Sequence, residues 1–255
     1  MIQASVLLIT KNEERSLPKT LASLKEFSEI LVVDGESGDR TREIAHQFGA
    51  RVFRRPFDHF ANQRNFALER ASRDWILWID ADEVANPELL GAIREVVAQK
   101  KGSPSGYRIH IRTSHFGREL RWGDQGQFRP VRFFRKQKGH FAGSIHEFVQ
   151  VEGEIGSLPG ALLHESNPTV KDYLEKLRLY TSLEAKTWKE SGRSISFWHW
   201  GCKPFLRFLY VYFLRFGFLD GFEGFLFHAL SSFYSVLKQA RANELSQEEP
   251  SLCKI

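Results

Sequence analysis

Cysteine is scarce in this chain of 255 residues, with only Cys202 and Cys253 present. The two lack the spacing of a metal-binding cluster and are too few for a disulfide framework, which fits a reducing compartment. Neither a basic n-region nor a cleavage site precedes the first strand-like run after Met1-Ile-Gln-Ala, so no secretory leader is expected and the cytosol is the expected location. Long apolar runs are missing too. The uncharged stretches Ser194 to Cys202, Phe208 to Leu214 and Gly224 to Leu237 all stop short of the roughly 18 to 20 residues that span a bilayer. Internal repeats are lacking, and low complexity is confined to about the last dozen residues. With 42% hydrophobic and 13% aromatic residues, the chain has material for a sizeable core, which argues against disorder outside its last residues.

Lys and Arg outnumber Asp and Glu by 36 to 31, for a net charge of +5 and a pI near 9.2. That balance points to an anionic partner and by itself leaves nucleic acid, a phosphorylated substrate and a membrane surface open. Hydropathy then organises the first hundred residues. Ser5 to Thr10 reads as a buried strand, and Leu17-Pro18 opens a helix carrying Leu21 and Leu24. Glu29 to Asp34 predicts a second strand, Thr41 to Phe48 a helix, and Arg51 to Arg54 a short third strand. Phe60 to Arg70 predicts another helix, Trp75 to Ile79 a fourth strand, and Pro87 to Lys100 a helix with Leu89, Leu90, Ile93, Val96 and Val97 on its apolar side. Such alternation predicts an α/β fold with a Rossmann-like, mostly parallel central sheet covered on both faces.

Lys101-Gly-Ser-Pro-Ser-Gly106 breaks the alternation, and shorter strands are predicted around Tyr107 to Ile111, Val131 to Phe134 and Phe148 to Val151. Asp172 to Lys189 predicts an amphipathic helix. From Ile195 to Leu237 the chain holds ten of its 22 phenylalanines, an aromatic C-terminal helical extension.

The most informative triplet is Asp80-Ala81-Asp82, directly after the fourth predicted strand. Side chains alternate along an extended segment, so the two carboxylates can share a face at a strand's carboxyl end, where open α/β sheets bind ligands. Converging there, they offer hard oxygen ligands to Mg2+ or Mn2+ and leave positions for a diphosphate. An acidic turn capping the helix near Pro87 accounts for the same residues.

Three further motifs precede this triplet in order: Thr10-Lys-Asn-Glu-Glu14, Asp34-Gly-Glu-Ser37-Gly-Asp39-Arg-Thr41, and Gln63-Arg64-Asn65-Phe-Ala67. Together the four resemble the family 2 glycosyltransferases of the GT-A fold. Ile145-His146-Glu147, Leu163-His164-Glu165 and Gly217-Phe-Leu-Asp220-Gly221 are similar to the subgroup that adds glucose or related sugars to lipopolysaccharide inner core. The resemblance runs from about Ser5 to about Ala240. One departure stands out: Glu36 occupies a place where the family usually has glycine, and a β-carbon is costly where φ is positive. The turn must therefore differ, or Gly35 and Gly38 supply the freedom.

The resemblance implies an inverting transferase moving a hexose, glucose foremost, from a UDP-linked donor to a lipid-linked saccharide such as lipopolysaccharide inner core. It implies Mg2+ or Mn2+ held by Asp82 as principal ligand and by His164, with Asp80 on the ribose or reaching the ion through water. The donor would be bound by Thr10, Glu14, Asp34, Ser37, Arg64, Asn65, Asp80 and Ala81. Asp34 suits a uracil imide or ribose hydroxyl because a carboxylate only accepts, and the planar fork of Arg64 suits the base or diphosphate. Glu147 matches the family's catalytic acid residue, the base that would deprotonate the acceptor hydroxyl, with Asp124 the alternative. Plainer accounts are a solvated helix face for Arg64, a hydrogen-bonded strand-end imidazole for His164, and an arginine-paired carboxylate for Glu147.

Between Tyr107 and His140 nine Lys or Arg side chains face only Glu119 and Asp124, with Trp122, Phe128, Phe133 and Phe134 interleaved. This pattern suits single-stranded nucleic acid, an anionic saccharide, or a solvated hairpin face. The saccharide is favoured, with Trp122, Arg129, Arg132 and His146 as acceptor residues and no nucleic acid expected. Lys203, Arg207, Arg215 and Lys238 beside Trp198, Trp200, Tyr210 and Tyr212 suit helices lying at the inner face of the inner membrane, core helices or a subunit contact being the alternative. The expected division is a transferase domain over 3–190, with a nucleotide-sugar half 3–100 and an acceptor half 101–170, then amphipathic helices 191–240 and a disordered tail 241–255. A nucleotidyltransferase would need a glycine-rich loop after the first strand, which Lys11-Asn-Glu-Glu-Arg15 is not. A non-enzymatic basic membrane- or nucleic-acid-binding module would have no use for Asp34, Asp80, Asp82 and Glu147 at strand ends.

Overall fold

Strand alternation decides which layer each residue joins. In Ile2–Thr10 (β1), Val6 and Leu8 enter one apolar cluster and Leu7 the other. Phe27–Asp34 (β2), Arg51–Arg54 (β3) and Trp75–Trp78 (β4) run parallel to it in the order β3-β2-β1-β4. Parallel neighbours require crossovers, here the helices Leu17–Leu24 (α1), Thr41–Gln47 (α2) and Phe60–Arg70 (α3). Leu17, Leu21 and Leu24 of α1, Ala45 of α2, and Leu89 and Ile93 of the helix Pro87–Ala98 (α4) join Val6 and Leu8. Ala61, Ala67 and Leu68 of α3 join Leu7, Leu31 and Val33 on the opposite face.

Beyond β4 the sheet turns antiparallel. It adds Glu83–Ala85 (β5), Gly106–His115 (β6), Val131–Arg135 (β8) and Ile155–Asn167 (β11) in the order β4-β8-β6-β11-β5, and Arg118–Glu119 (β7) pairs with β6. Gly139–Ala142 (β9) and Phe148–Val151 (β10) form a separate two-stranded ribbon. The sequence pattern missed β5, β7, β9 and β11. Of these β5 and β7 are only three and two residues long, and β11 is interrupted by Pro159 and Gly160, so none of the three has the alternation of a typical strand. Also, β4 ends at Trp78, so Asp80 to Asp82 lies on a turn rather than on an extended segment.

The computed structural model describes residues 1–99, 102–143, 148–178, 181 and 201–247. It divides into two compact units, Met1–Arg112 with Phe128–His164, and Thr113–Gln127 with Glu165–Ile255. The second therefore takes in an excursion from the middle of the chain as well as the C-terminal region. In it residues 170–178 are helical, followed by the helix Lys203–Leu209, a wider turn Tyr210–Leu214, a tight turn Gly217–Asp220, and the long helix Gly221–Gln247. Residues 241–247, expected as part of a disordered tail, continue that helix, with Ala242 buried and Arg241 paired to Glu244 at 2.6 Å. The remainder of that tail, residues 191–200, and most of the predicted helix beyond residue 178 lie outside the described residues. No described helix is long and apolar enough to cross a membrane.

One backbone contact locks α4 to β11. The side chain of Asn86 caps α4 by accepting the N–H of Leu89 at 2.9 Å and also accepts that of Ala161 at 3.1 Å. Gly160 makes the approach possible, with φ +80° and an added β-carbon only 2.3 Å from the Leu89 nitrogen. Gly160→Ala is expected to lower stability by about 2 to 4 kcal/mol, from left-handed backbone strain plus overpacking. Urea unfolding checks this; a loss below about 0.5 kcal/mol would mean that the contact yields freely.

Candidate active site

All the residues that gather at the sheet's rim belong to the first unit. There the loop after β1 and the loop after β2 scaffold each other. Gly35 N–H donates to the Thr10 carbonyl at 2.8 Å, Asn12 N–H to Ser37 Oγ at 2.9 Å, Glu13 N–H to Thr41 Oγ1 at 2.8 Å, and Glu14 N–H to Asp39 Oδ2 at 3.2 Å. In return Gly38 N–H reaches Asn12 Oδ1 at 2.8 Å and Arg40 N–H reaches Glu14 Oε2 at 3.2 Å. Asp34 is fully buried at their junction, accepting from the hydroxyl and N–H of Ser37 and from Thr10 Oγ1 at 3.3 Å. Its carboxylate thus organises the two loops.

In the turn Glu36 itself takes φ +64°, while its carboxylate meets Arg54 at 3.2 Å. Gly35 and Gly38 do not supply the left-handed step; Glu36 does.

After β4 the chain closes a tight turn, with Glu83 N–H on the Asp80 carbonyl at 3.1 Å and Asp80 N–H on Glu83 Oε2 at 2.9 Å. Thr20 of α1 ties the turn down by donating to the Ala81 carbonyl at 2.8 Å. Two guanidiniums grip Asp80: Arg64 reaches Oδ1 at 2.7 Å and Arg132 reaches Oδ2 at 3.1 Å. Arg132 also meets Glu83 at 2.8 Å. Both cations lie over the Trp78 ring, 4.2 Å and 3.6 Å from its centroid, and the indole N–H is fixed on the Val131 carbonyl at 2.8 Å. Against the upward push of burial, the charges of Arg132 and then Arg64 hold the Asp80 carboxyl well below the usual range. Burial pushes Glu83 up to about 7 despite the pull of Arg132. One guanidinium serves two carboxylates, and Asp80, with a second cation and 37% of its side chain exposed, is the one held ionised.

Beside this cluster, β11 pairs antiparallel with β5 so that His164 lies opposite Glu83. That register brings His164 Nε2 to 3.1 Å from Asp82 Oδ2, both side chains about a quarter to a third exposed. Burial alone would lower the imidazole; the hydrogen bond and charge of Asp82 outweigh it and raise His164 above its ordinary value. Asp82 and His164 fit a divalent cation. A carboxylate oxygen and an imidazole nitrogen face one another at a half-open rim, and an ion could replace the proton that now bridges them. Among the described residues no three His, Cys, Asp or Glu side chains converge, and both oxygens of Asp80 are already engaged by arginine, so the described residues would contribute these two donors.

Other expected residues have different places. In the Gln63-Arg64-Asn65 motif every side chain turns inward. Gln63 donates to the Arg55 and Pro56 carbonyls, Arg64 is only 2% exposed, and the Asn65 amide exchanges two 2.9 Å hydrogen bonds with the backbone of Phe141. These residues build the rim, with Arg64 buried and Asn65 half-buried. Arg132, expected on a basic acceptor face, is buried at 4% exposure beneath Asp80, because its position in β8 next to β4 directs it at the carboxylates. Arg129 is exposed, and its carbonyl accepts from Arg108 at 3.2 Å. Trp122 and Asp124 belong to the second unit, Asp124 paired with Arg207 at 3.0 Å. His146 and Glu147 lie outside the described residues. Nothing in the sequence pattern marks Trp78 as part of the site, and Glu83 is marked only as a third carboxylate directly following the Asp80-Ala81-Asp82 triplet.

Residues 5–151 match the model of the family described as glycosyl transferase family 2. The chain is 30% identical over 262 residues to an uncharacterized glycosyltransferase of Rickettsia typhi, covering 96% of this chain and 88% of that protein. It is also 30% identical over 252 residues to the lipopolysaccharide core biosynthesis glycosyltransferase LpsC of Rhizobium meliloti, covering 93% and 90%. Among solved structures, S. aureus TarS 1-349 superposes with a TM-score of 0.50 at 16% identity, over 97% of this chain and 92% of that one. At that identity the likeness speaks for the fold, the mixed α/β architecture expected from the motifs.

The Asp80 cluster carries a test of its own. Arg132→Met is expected to destabilise by about 2 to 4 kcal/mol, because Asp80 and Glu83 both lose the guanidinium that offsets their burial. Adding Glu83→Gln should recover part of the loss in urea unfolding. A single variant as stable as the parent would show that Arg132 holds nothing in place.

Proposed function

The chain belongs to glycosyl transferase family 2, and on that premise we propose that it is an inverting, metal-dependent hexosyltransferase. The donor is a UDP-linked sugar, glucose foremost, and the acceptor a lipid-linked anionic saccharide of the lipopolysaccharide inner core. Similarity to a lipopolysaccharide core enzyme over nearly the whole chain supports the acceptor class. The observation that carries the reaction is the Asp82–His164 pair beside an Asp80 held ionised by arginine.

In this reading Thr10, Glu14 and Ser37, held in register by Asp34, line the nucleoside site. Asp80, fixed by Arg64 and Arg132, turns its exposed side to the ribose hydroxyls. Asp82 and His164 hold Mg2+ or Mn2+, which when bound supplies positive charge where negative charge grows on the departing diphosphate. Glu147 takes the proton from the acceptor hydroxyl as its oxygen bonds to the anomeric carbon from the face opposite the diphosphate; the old C–O bond breaks and the configuration inverts. Trp122, Arg129 and His146 serve the acceptor.

The second unit supports a place on the cytoplasmic face of the inner membrane. Phe205, Phe213, Leu214 and Phe222 are 52% to 70% exposed, and Lys203, Arg207 and Arg215 share the same stretch of chain. Exposed aromatic and aliphatic side chains among cations suit an anionic bilayer interface.

Calorimetry with UDP and Mn2+ tests the donor site. Asp82→Ala is expected to weaken metal-dependent UDP binding at least about tenfold, whereas Glu147→Gln should keep that binding and lose at least about 100-fold in turnover. A wild-type protein that gives no heat with UDP and Mn2+ would overturn the proposal. For the membrane, Leu214→Ser with Phe222→Ser should abolish flotation with vesicles containing phosphatidylglycerol and leave UDP binding intact; undiminished flotation would remove this surface from the account.

A further inference from the structure

Asp220 is a buried carboxylate with no part in the chemistry described above. At 3% exposure, it sits in the tight turn Gly217–Asp220 of the second unit. Its partners come from about a hundred residues earlier in the chain, and they are backbone groups. Arg121 N–H donates to both oxygens, at 3.0 Å and 3.1 Å, and Trp122 N–H donates to Oδ2 at 2.9 Å. A carboxylate bonded to two successive N–H groups dictates a loop's path whatever its side chains are.

The next residue is held as tightly. Gly123 has φ +69° and donates its N–H to the Arg215 carbonyl at 2.9 Å. A β-carbon there would lie 2.4 Å from the His228 ring, and one on Gly217 would lie 2.7 Å from His228 Nε2. The imidazole, 2% exposed, is slotted between the two glycines. Burial pushes it below its ordinary value and outweighs the nearby Asp124 and Asp220 carboxylates, with Arg207 adding to the effect, so it packs there as a neutral ring. Gly224, at the start of the long helix, would place a β-carbon 2.6 Å from that of Asp220. The motif Gly217-Phe-Leu-Asp220-Gly221 thus forms a socket for Arg121 to Gly123.

The socket leaves functional groups outside. Trp122 is 42% exposed, with its ring edge-on to Phe216 at 5.9 Å, and Asp124 stays about a third exposed beside Arg207. An indole face covers the C–H face of a sugar ring, a carboxylate accepts from its hydroxyls, and a guanidinium meets its anionic substituents. We propose that Arg121 to Asp124 is a saccharide-contacting loop and that Asp220 is its positioning residue, acting through backbone hydrogen bonds without touching the sugar. The inference rests on the transferase reading above and identifies which loop of the second unit meets the acceptor.

The test uses full-length enzyme with UDP-glucose and inner-core oligosaccharide released from lipopolysaccharide by deacylation. Asp220→Asn preserves shape and removes charge from the bonds to Arg121 and Trp122. It should raise the acceptor KM at least about tenfold, leave the affinity for UDP unchanged, and speed amide exchange at Arg121 and Trp122 by a similar factor. Trp122→Ala should raise the same KM, and the double variant should add little to either single change, because both disable one contact. An unchanged acceptor KM or unchanged amide protection in Asp220→Asn would overturn the inference alone, as would strictly additive effects. A wild-type enzyme that binds UDP but transfers nothing to the oligosaccharide would overturn the acceptor reading and this inference with it.

Discussion

A carboxylate clamped by two guanidiniums at the open edge of the sheet is the constraint from which the first unit's site follows. Asp80 could not sit ionised behind a largely apolar strand without compensation, and Arg64 from α3 and Arg132 from β8 supply it. Trp78 gives both cations a flat surface, and Glu83 takes the remaining reach of Arg132. Because the cluster draws on α3, β4, β5 and β8, the Asp80–Asp82 turn has one geometry. Asp82 is thereby delivered to His164.

The donor loops follow the same logic of mutual support. Neither the loop after β1 nor the loop after β2 has regular structure, yet each satisfies the other's N–H groups, with buried Asp34 at the centre. A residue pattern that looks like a set of ligand contacts is in large part a set of internal contacts. That is why Glu36 can bear a positive φ: the surrounding bonds over-determine the turn. In the second unit Asp220 repeats the device, a buried carboxylate organising backbone N–H groups so that other side chains are free to meet a partner.

The parallel half of the fold was legible because its strands are continuous apolar runs and its helices carry clear faces, as in Leu17, Leu21 and Leu24. The antiparallel half was less so. β5 is too short to have a period, and β11 owes its course to pairing partners more than to its own residues. For the site, residue types pointed to groups whose contacts only the fold assigns. Arg64 and Asn65 have the chemistry of ligand-binding groups, but burial commits one to Asp80 and the other to the Phe141 backbone. Arg132 reads as one cation of a basic stretch until strand pairing carries it inside.

By itself, the order of motifs along the chain determined the family, the alternating architecture of the first hundred residues and the carboxylate-bearing rim, because these depend on local periodicity and on residue types that few other reactions need. Tertiary structure alone decided which of those polar groups face outward and which hold one another. A charge's function depends on what lies within about 4 Å of it, and for Asp80, Asp82 and Asp220 those neighbours come from positions about 16 to 99 residues away. Only the pairing of β11 with β5 puts His164 against Asp82, and only the socket around His228 sets Trp122 at the surface of its unit.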